Sequence, residues 1–416
     1  MAEKLIEQVA SLEVLTSALN SLRKSSTGAG VDGETVIRFR EDKHERLAGL
    51  SKSLANGTFK FDKLRAVAIA KSGGGHRPLS IPTVKDRIVQ RALLTVIGPR
   101  IKQHVRSPGS HAYLARRGLK SAIAEVKRFL KQGNYAFVQT DIKKFFDHLK
   151  AADAIDKLSA LLTDNSLSAL LSQYVGWEVD GVDALSPEVK ASFPAGGKTT
   201  GLPQGTALAP TLANLMLGDI DRDARVKGFN MVRYADDIII FAPTSGEALV
   251  AFDWLEAELR KVNLQVYDPR SNSPKARLVA DVRAESLEYL GFYIRMLNGK
   301  VYIQPQANKV DSITHKLCEI IEGKTLRKGF PERIVAASQA ANSWVTSYSK
   351  ICGVHRVARK INTLTSLSIE QVLKARGIID QSASLDENQR AFLGFRMRRR
   401  HKATRRAKSV ISRMLP

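Results

Sequence analysis

Two adjacent carboxylates, Asp236 and Asp237, interrupt the stretch Met231–Phe241 (MVRYADDIIIF), which is apolar and β-prone on both sides. This is the pattern of two strands joined by a tight turn with the acids at its tip. Asp is common at turns, so an Ala-Asp-Asp taken alone would read as a solvated hairpin. Two neighbouring carboxylates nevertheless repel each other unless a cation lies close by, and a divalent metal is the natural one. A third acid upstream changes the balance. Asp141 ends the short apolar run Ala136–Thr140, which reads as a buried strand, and a helix start follows it. If that strand pairs with the 231–241 hairpin, Asp141 and Asp236 face each other. Carboxylates on neighbouring strands can hold two hard cations roughly 3.5–4 Å apart for in-line phosphoryl transfer. One ion would activate a 3′-hydroxyl and the other would hold a nucleoside triphosphate, so the three acids point to nucleotidyl transfer.

The elements around these acids supply cations and apolar faces. Phe61–Pro82 reads as strand, Gly-rich loop, strand, with Lys71 and Arg77 flanking the loop Ser72–Gly75. Cations near a surface turn are ordinarily just solvated, but on this tip they could close over a triphosphate, Arg through its planar fork and Lys as a point charge. Thr83–Ile101 reads as a helix with Asp86, Arg87, Gln90 and Arg91 on its polar side. Residues 4–24 and 35–55 carry helical patterns and are separated by a Gly-rich turn, whereas 152–200 ends in a polar, Gly-containing region that suggests no clear element. A helix is expected over 246–262 and helical structure from about 305 to 380, with Trp344 and Tyr348 one turn apart.

Composition narrows the partners. Over 416 residues the formal net charge is +24, a surface excess that attracts a polyanion, and nucleic acid suits it best. Arg390–Pro416 alone carries ten Lys or Arg and no acid, including Arg398, Arg399 and Arg400, as expected of a tail that binds phosphates. A basic membrane-surface protein would want an amphipathic basic helix or a lipid motif, and neither stands out. Cys318 and Cys352 fit no metal spacing and read as buried thiols. With no apolar run of membrane-spanning length and no signal-like N-terminus, the expected location is the cytoplasm, away from membranes.

Five blocks in order carry a family likeness: Arg77-Pro78-Leu79-Ser80-Ile81-Pro82, Asp141-Ile142-Lys143-Lys144-Phe145-Phe146, Gly201-Leu202-Pro203-Gln204-Gly205, Tyr234-Ala235-Asp236-Asp237 and Leu287-Glu288-Tyr289-Leu290-Gly291-Phe292. Together they resemble the successive motifs of reverse transcriptases, in the bacterial lineage that includes group II intron enzymes, retrons and defence-associated enzymes. The likeness spans roughly residues 28 to 300, and five ordered blocks make chance agreement very small. Gly30-Val31-Asp32-Gly33 resembles an opening motif of the intron enzymes. Ser110–Gly118 (SHAYLARRG) only partly matches their next motif, so its residues receive no individual roles.

The resemblance implies an α+β right-hand polymerase fold: N-terminal helices and fingers over 1–110, a palm of antiparallel sheet plus helices over 111–300, a helical thumb over 301–385 and a basic tail over 386–416. It implies Asp141, Asp236 and Asp237 as catalytic acids, with Ile142 also among the metal-binding positions, and two Mg²⁺ ions that Mn²⁺ could replace. Lys71, Arg77 and Lys275 match triphosphate-binding positions, and Phe146 matches the aromatic gate that excludes a 2′-hydroxyl by its bulk. Gly205 would permit close backbone approach to the base pair, and Gln204 would hydrogen-bond near the nucleotide sugar or template. Arg65 is a further candidate for template or nucleotide contact, Arg87 and Gln90 would brace the fingers against the template, and the strand Leu287–Ile294 would grip the primer with Gly291 in contact. The expected activity is RNA-directed DNA synthesis from dNTPs, copying an associated structured non-coding RNA into DNA, by analogy in antiphage defence. An intron-type splicing cofactor that binds RNA and a template-independent DNA polymerase are the alternatives.

Overall fold

The computed structural model describes residues 3–23, 28–70, 74–162, 164–193, 201–326, 329–375 and 377. The chain divides into two units, Met1–Ala280 and Asp281–Pro416. Helices and mainly antiparallel sheets, interspersed along the chain, give the expected α+β class. The strands of the first unit are β1 (Leu64–Ala70), β2 (His76–Ile81), β3 (Ala136–Asp141), β4 (Val179–Asp180), β5 (Asn230–Tyr234), β6 (Asp237–Ala242) and β7 (Arg277–Val279).

β1 and β2 form the expected antiparallel hairpin, with Arg65 opposite Ile81 and Ala70 opposite His76. The region that suggested no element supplies β4, which joins the far edge of β1 in parallel. Behind the hairpin, Thr83 caps the helix Val84–Val105 by accepting from the Asp86 amide at 3.4 Å. Asp86 and Gln90 belong to its buried face, at 0 and 2% exposure, which corrects their expected place on a polar side. The expected N-terminal helices are each broken in two. Leu5–Ala10 gives way to Leu12–Ser21 because Ser11 is extended and turns its Oγ to cap the second piece, and Val36–Glu41 stops at Asp42 before Lys43–Ala55.

The second sheet runs β5-β6-β3-β7, antiparallel throughout. Its apolar strands are covered on both faces, which is why Ile238–Phe241 reads as a continuous apolar run rather than an alternation. Side chains still alternate by face: Val138 pairs with Ile240 in the core that also holds Leu212, Phe252 and Leu255, whereas Phe137 pairs with Phe241 in ring contact at 5.9 Å. The helices Ala209–Val226 and Ser245–Lys261 pack on this sheet, and full burial of a side chain such as Phe252 contributes about 1.5–3 kcal/mol.

The second unit begins with an antiparallel meander of β8 (Leu287–Tyr289), β9 (Phe292–Leu297) and β10 (Lys300–Pro305). The single strand expected over Leu287–Ile294 is therefore two strands, because Leu290 (φ 51°) and Gly291 (φ 83°) make a two-residue turn between Tyr289 and Phe292. Asn298-Gly299 turns the next hairpin in the same left-handed conformation. Three helices follow, Ala307–Glu322, Phe330–Ser349 and His355–Ala375, around Leu317, Ile334, Ile361 and Ile369. Trp344 stacks on Tyr348 at 4.1 Å, as their one-turn spacing suggests. Among the described residues no helix is long and apolar enough to cross a membrane.

Candidate active site

Strand pairing assembles the three acids. Asp141, the last residue of β3, lies directly opposite Asp237, the first of β6, while Tyr234 of β5 pairs with Asp237 from the other side. Ala235 and Asp236 make the turn, Ala235 in the left-handed region at φ 60°. A non-glycine residue there is uncommon and must be held by its surroundings. The holder is Arg233, fully buried, whose Nη1 donates to the Ala235 carbonyl at 3.2 Å. Its guanidinium also donates to both Asp221 oxygens, at 2.9 and 2.5 Å, and to Asn214 and Ser110. The Ile142 amide donates to the Asp236 carbonyl at 3.0 Å, tying the end of β3 to the turn.

The electrostatics follow from this crowding. Burial and then the neighbouring Asp141 charge push the Asp236 carboxyl up to about 6, with Arg77 opposing. Burial and Asp141 push Asp237 up to about 7, although a hydrogen bond to Gln139 pulls the other way. Lys275 Nζ donates to Asp141 Oδ2 at 2.7 Å, and that bond raises the lysine. Lys275 and Lys143 each stand 5.1 Å from the centre of the Tyr267 ring. The donor set fits Mg²⁺: hard carboxylate oxygens whose mutual repulsion a cation would relieve, beside a lysine already drawn in by the same charge. Among the described residues no three His, Cys, Asp or Glu side chains close into a ready-made metal cage.

The structure brings Arg77 and Lys275 to the acids, whereas Lys71 lies outside the described residues, as do Arg398, Arg399 and Arg400. Phe145 is buried and Phe146 half-buried, their rings 5.0 Å apart on the short helix after Lys144, so one ring is core and its neighbour reaches the surface. Gly205 (φ 114°) packs against β2: a Cβ there would come within 2.7 Å of the Ser80 carbonyl, and Ser80 N donates to the Gln204 carbonyl at 2.6 Å. Its open backbone thus serves the junction with β2. Arg65 Nε donates to the Ala29 carbonyl at 2.8 Å, and Arg87 holds the Gly28 and Pro82 carbonyls, so both brace the turn at 28–30. Gln90 Oε1 accepts from the Ala207 amide at 2.9 Å, bracing the Gln204–Ala207 loop. Gly291 belongs to the second unit, as a turn residue whose carbonyl accepts from Gln306.

Arg233, Asp221 and Tyr113 join the site only through the fold. A charge in the middle of an apolar strand (MVRYA) was the signal for Arg233, because a buried charge demands a partner. Tyr113 lies in the partly matched motif and has Asp236, Tyr234 and Arg77 as electrostatic neighbours.

A family described as reverse transcriptase (RNA-dependent DNA polymerase) matches residues 69–294, more than half of the chain. This chain belongs to that family. Among curated relatives it is 28% identical over 221 residues to the COX1/OXI3 intron 1 protein of Saccharomyces cerevisiae, covering 53% of this chain and 25% of that protein. It is 27% identical over 200 residues to the group II intron-encoded protein LtrA of Lactococcus lactis subsp. cremoris, covering 48% and 31%. Protein YkfC of Escherichia coli is 28% identical over 228 residues, covering 53% and 56%. The chain thus spans about a quarter to a half of the length of these relatives, two of which are named as intron proteins and one of those as a group II intron-encoded protein. Similar solved structures include a partial Cas6-RT-Cas1–Cas2 complex, at 24% identity and TM-score 0.37 over 63% of this chain and 42% of that one. Apo telomerase from Candida tropicalis matches at 12% identity and TM-score 0.41, over 58% and 55%.

Proposed function

We propose that this reverse transcriptase family member is an active RNA-directed DNA polymerase that copies a structured non-coding RNA into DNA. The observation that carries the reading is the pairing of Asp141 with Asp237 at the strand ends beside the Asp236 turn. Two Mg²⁺ ions, or Mn²⁺ in their place, would supply Lewis-acid activation of a primer 3′-hydroxyl and neutralise charge on the triphosphate. The chain's own groups do the rest. Asp141, Asp236 and Asp237 present the oxygens that hold the ions, with Ile142 beside them. Arg77 and Lys275 attract the triphosphate, helped by Lys71, and Lys275 is free to leave Asp141 once that acid has another cation. The half-buried Phe146 ring fills the space a 2′-hydroxyl would need, so deoxynucleotides are selected. Phe146→Ala should admit ribonucleotides, and unchanged discrimination in competitive incorporation would refute the gate.

The Leu287–Pro305 meander and the three helices of the second unit serve in this reading as primer grip and thumb, and the basic tail holds RNA by its phosphates. The biological setting we propose is a bacterial cytoplasmic defence system, with dNTPs as substrates and DNA as product. The test is to isolate the protein from cells and sequence the bound RNA and associated DNA, beside an Asp236→Ala, Asp237→Ala control. DNA complementary to one enriched RNA, absent in the control, is the expected result. Bound RNA without acid-dependent DNA would favour a splicing cofactor, and acid-dependent DNA unrelated to any RNA would favour untemplated synthesis.

A further inference from the structure

The loop that follows the Val84–Val105 helix is fastened to the catalytic hairpin more firmly than a connection requires. Arg233 N donates to the Gly109 carbonyl at 2.8 Å and His111 N to the Arg233 carbonyl at 2.9 Å, so Ser110 runs parallel to β5 opposite Arg233. Arg233 Nη2 donates to Ser110 Oγ at 3.0 Å, and Asn214 Nδ2 donates to the Ala112 carbonyl at 3.0 Å. Gly109 (φ 74°) makes the approach possible, since a Cβ there would lie 2.6 Å from the Met231 carbonyl. Three residues beyond Ser110 stands Tyr113, just as Asp236 stands three residues beyond Arg233.

What these bonds hold in place is an exposed aromatic. Tyr113 is 56% exposed and sits at φ 59°, a left-handed conformation that bulky side chains rarely adopt. Packing does not account for it, because more than half of the side chain faces solvent. Asp236 and Tyr234 of the hairpin and Arg77 of β2 are its charged and polar neighbours. Strain maintained at such a place points to a role in the site.

We infer that Tyr113 is a substrate-contacting residue whose hydroxyl donates to the minor-groove edge of the terminal primer–template base pair. The inference rests on the polymerase reading above. Every Watson–Crick pair offers a purine N3 or pyrimidine O2 acceptor in the minor groove, so a single donor there serves any template sequence. An A-like duplex has a wide, shallow minor groove that a side chain can reach.

The test compares wild type, Tyr113→Phe and Tyr113→Ala in single-nucleotide incorporation on a primed RNA template, with duplex affinity measured by fluorescence anisotropy. Loss of one neutral hydrogen bond in Tyr113→Phe should weaken primed-duplex binding about fivefold. Tyr113→Ala should weaken it further. A primer ending in 3-deazaguanine, which lacks the N3 acceptor, should cost wild type the same factor and cost Tyr113→Phe nothing more. Equal sensitivity of both proteins to 3-deazaguanine would overturn the inference, as would wild-type affinity in Tyr113→Ala. A wild type that binds primed duplex without extending it would refute the polymerase reading while the affinity comparison still decides the role of Tyr113. A wild type that does neither would overturn both.

Discussion

On the face of the β5–β6 hairpin that meets the Ala209–Val226 helix, Asp221 receives two hydrogen bonds from Arg233 and one from Ser107, all fully buried. At the hairpin tip, Asp236 and Asp237 face Asp141, and their surroundings raise both. One aspartate of the first unit is thus paired with a buried cation, whereas the others face a like charge. The first group is complete as folded and supports the turn. The second is built to need a cation, and the support from the first is what holds its repelling charges together.

Breaking the complete side should have the largest effect on stability. Asp221→Ala leaves the Arg233 guanidinium buried without a counter-charge and should lower the unfolding free energy by about 3–5 kcal/mol, measured by urea titration. Replacing both, as Asp221→Leu with Arg233→Met, should recover much of that loss, since neither charge is then stranded. A loss no greater than that of a surface substitution would show that the pair does not brace the turn.

The cation-seeking side should respond in the other direction. Asp237→Asn removes one of three like charges and should raise stability by about 1 kcal/mol in metal-free buffer. Adding Mg²⁺ should raise the melting temperature of wild type more than that of the variant, because only a bound ligand shifts the folding equilibrium. Equal melting shifts would contradict the proposed metal site.

A third acid sharpens the contrast with a smaller effect. Burial would raise Glu125, but hydrogen bonds from His111, Arg128 and Arg225 outweigh it and draw it down to about 2. Its folded value lies below the unfolded one near 4.3, so its stabilisation is complete above that range and is lost as pH falls towards about 2. Glu125→Gln should therefore be less stable at neutral pH, with a shallower loss between about pH 4 and 2 in acid titrations followed by circular dichroism.

The hairpin and the Asp141 strand were legible because their signals are local: apolar runs of strand length and acids at their ends. The β1–β2 hairpin was legible for the same reason. β4 was not, because two residues that pair with β1 from more than a hundred positions away leave no periodicity. The Leu290-Gly291 turn was hidden by a leucine in a left-handed position where Asn or Asp is the usual cue. Arg65 and Arg87 read as nucleic-acid contacts because their partners are main-chain carbonyls at Gly28 and Ala29, and a sequence does not display carbonyls. Asp86 and Gln90 read as polar surface because their buried setting depends on packing against Asp62 and Ala207. In the site itself the acids, Arg77 and Lys275 came from motif order, whereas the Arg233 brace and Tyr113 required the register of a loop beside β5.

The most direct test of the central claim is extension of a DNA primer on a defined RNA template with Mg²⁺ and dNTPs, comparing wild type with Asp236→Asn and Asp237→Asn. Templated DNA from wild type, its abolition by chelator, and a loss of at least about a thousandfold in rate for both variants with primed-duplex binding intact are expected. Extension by either variant at the wild-type rate, or none from folded wild type with Mg²⁺ or Mn²⁺, would contradict it.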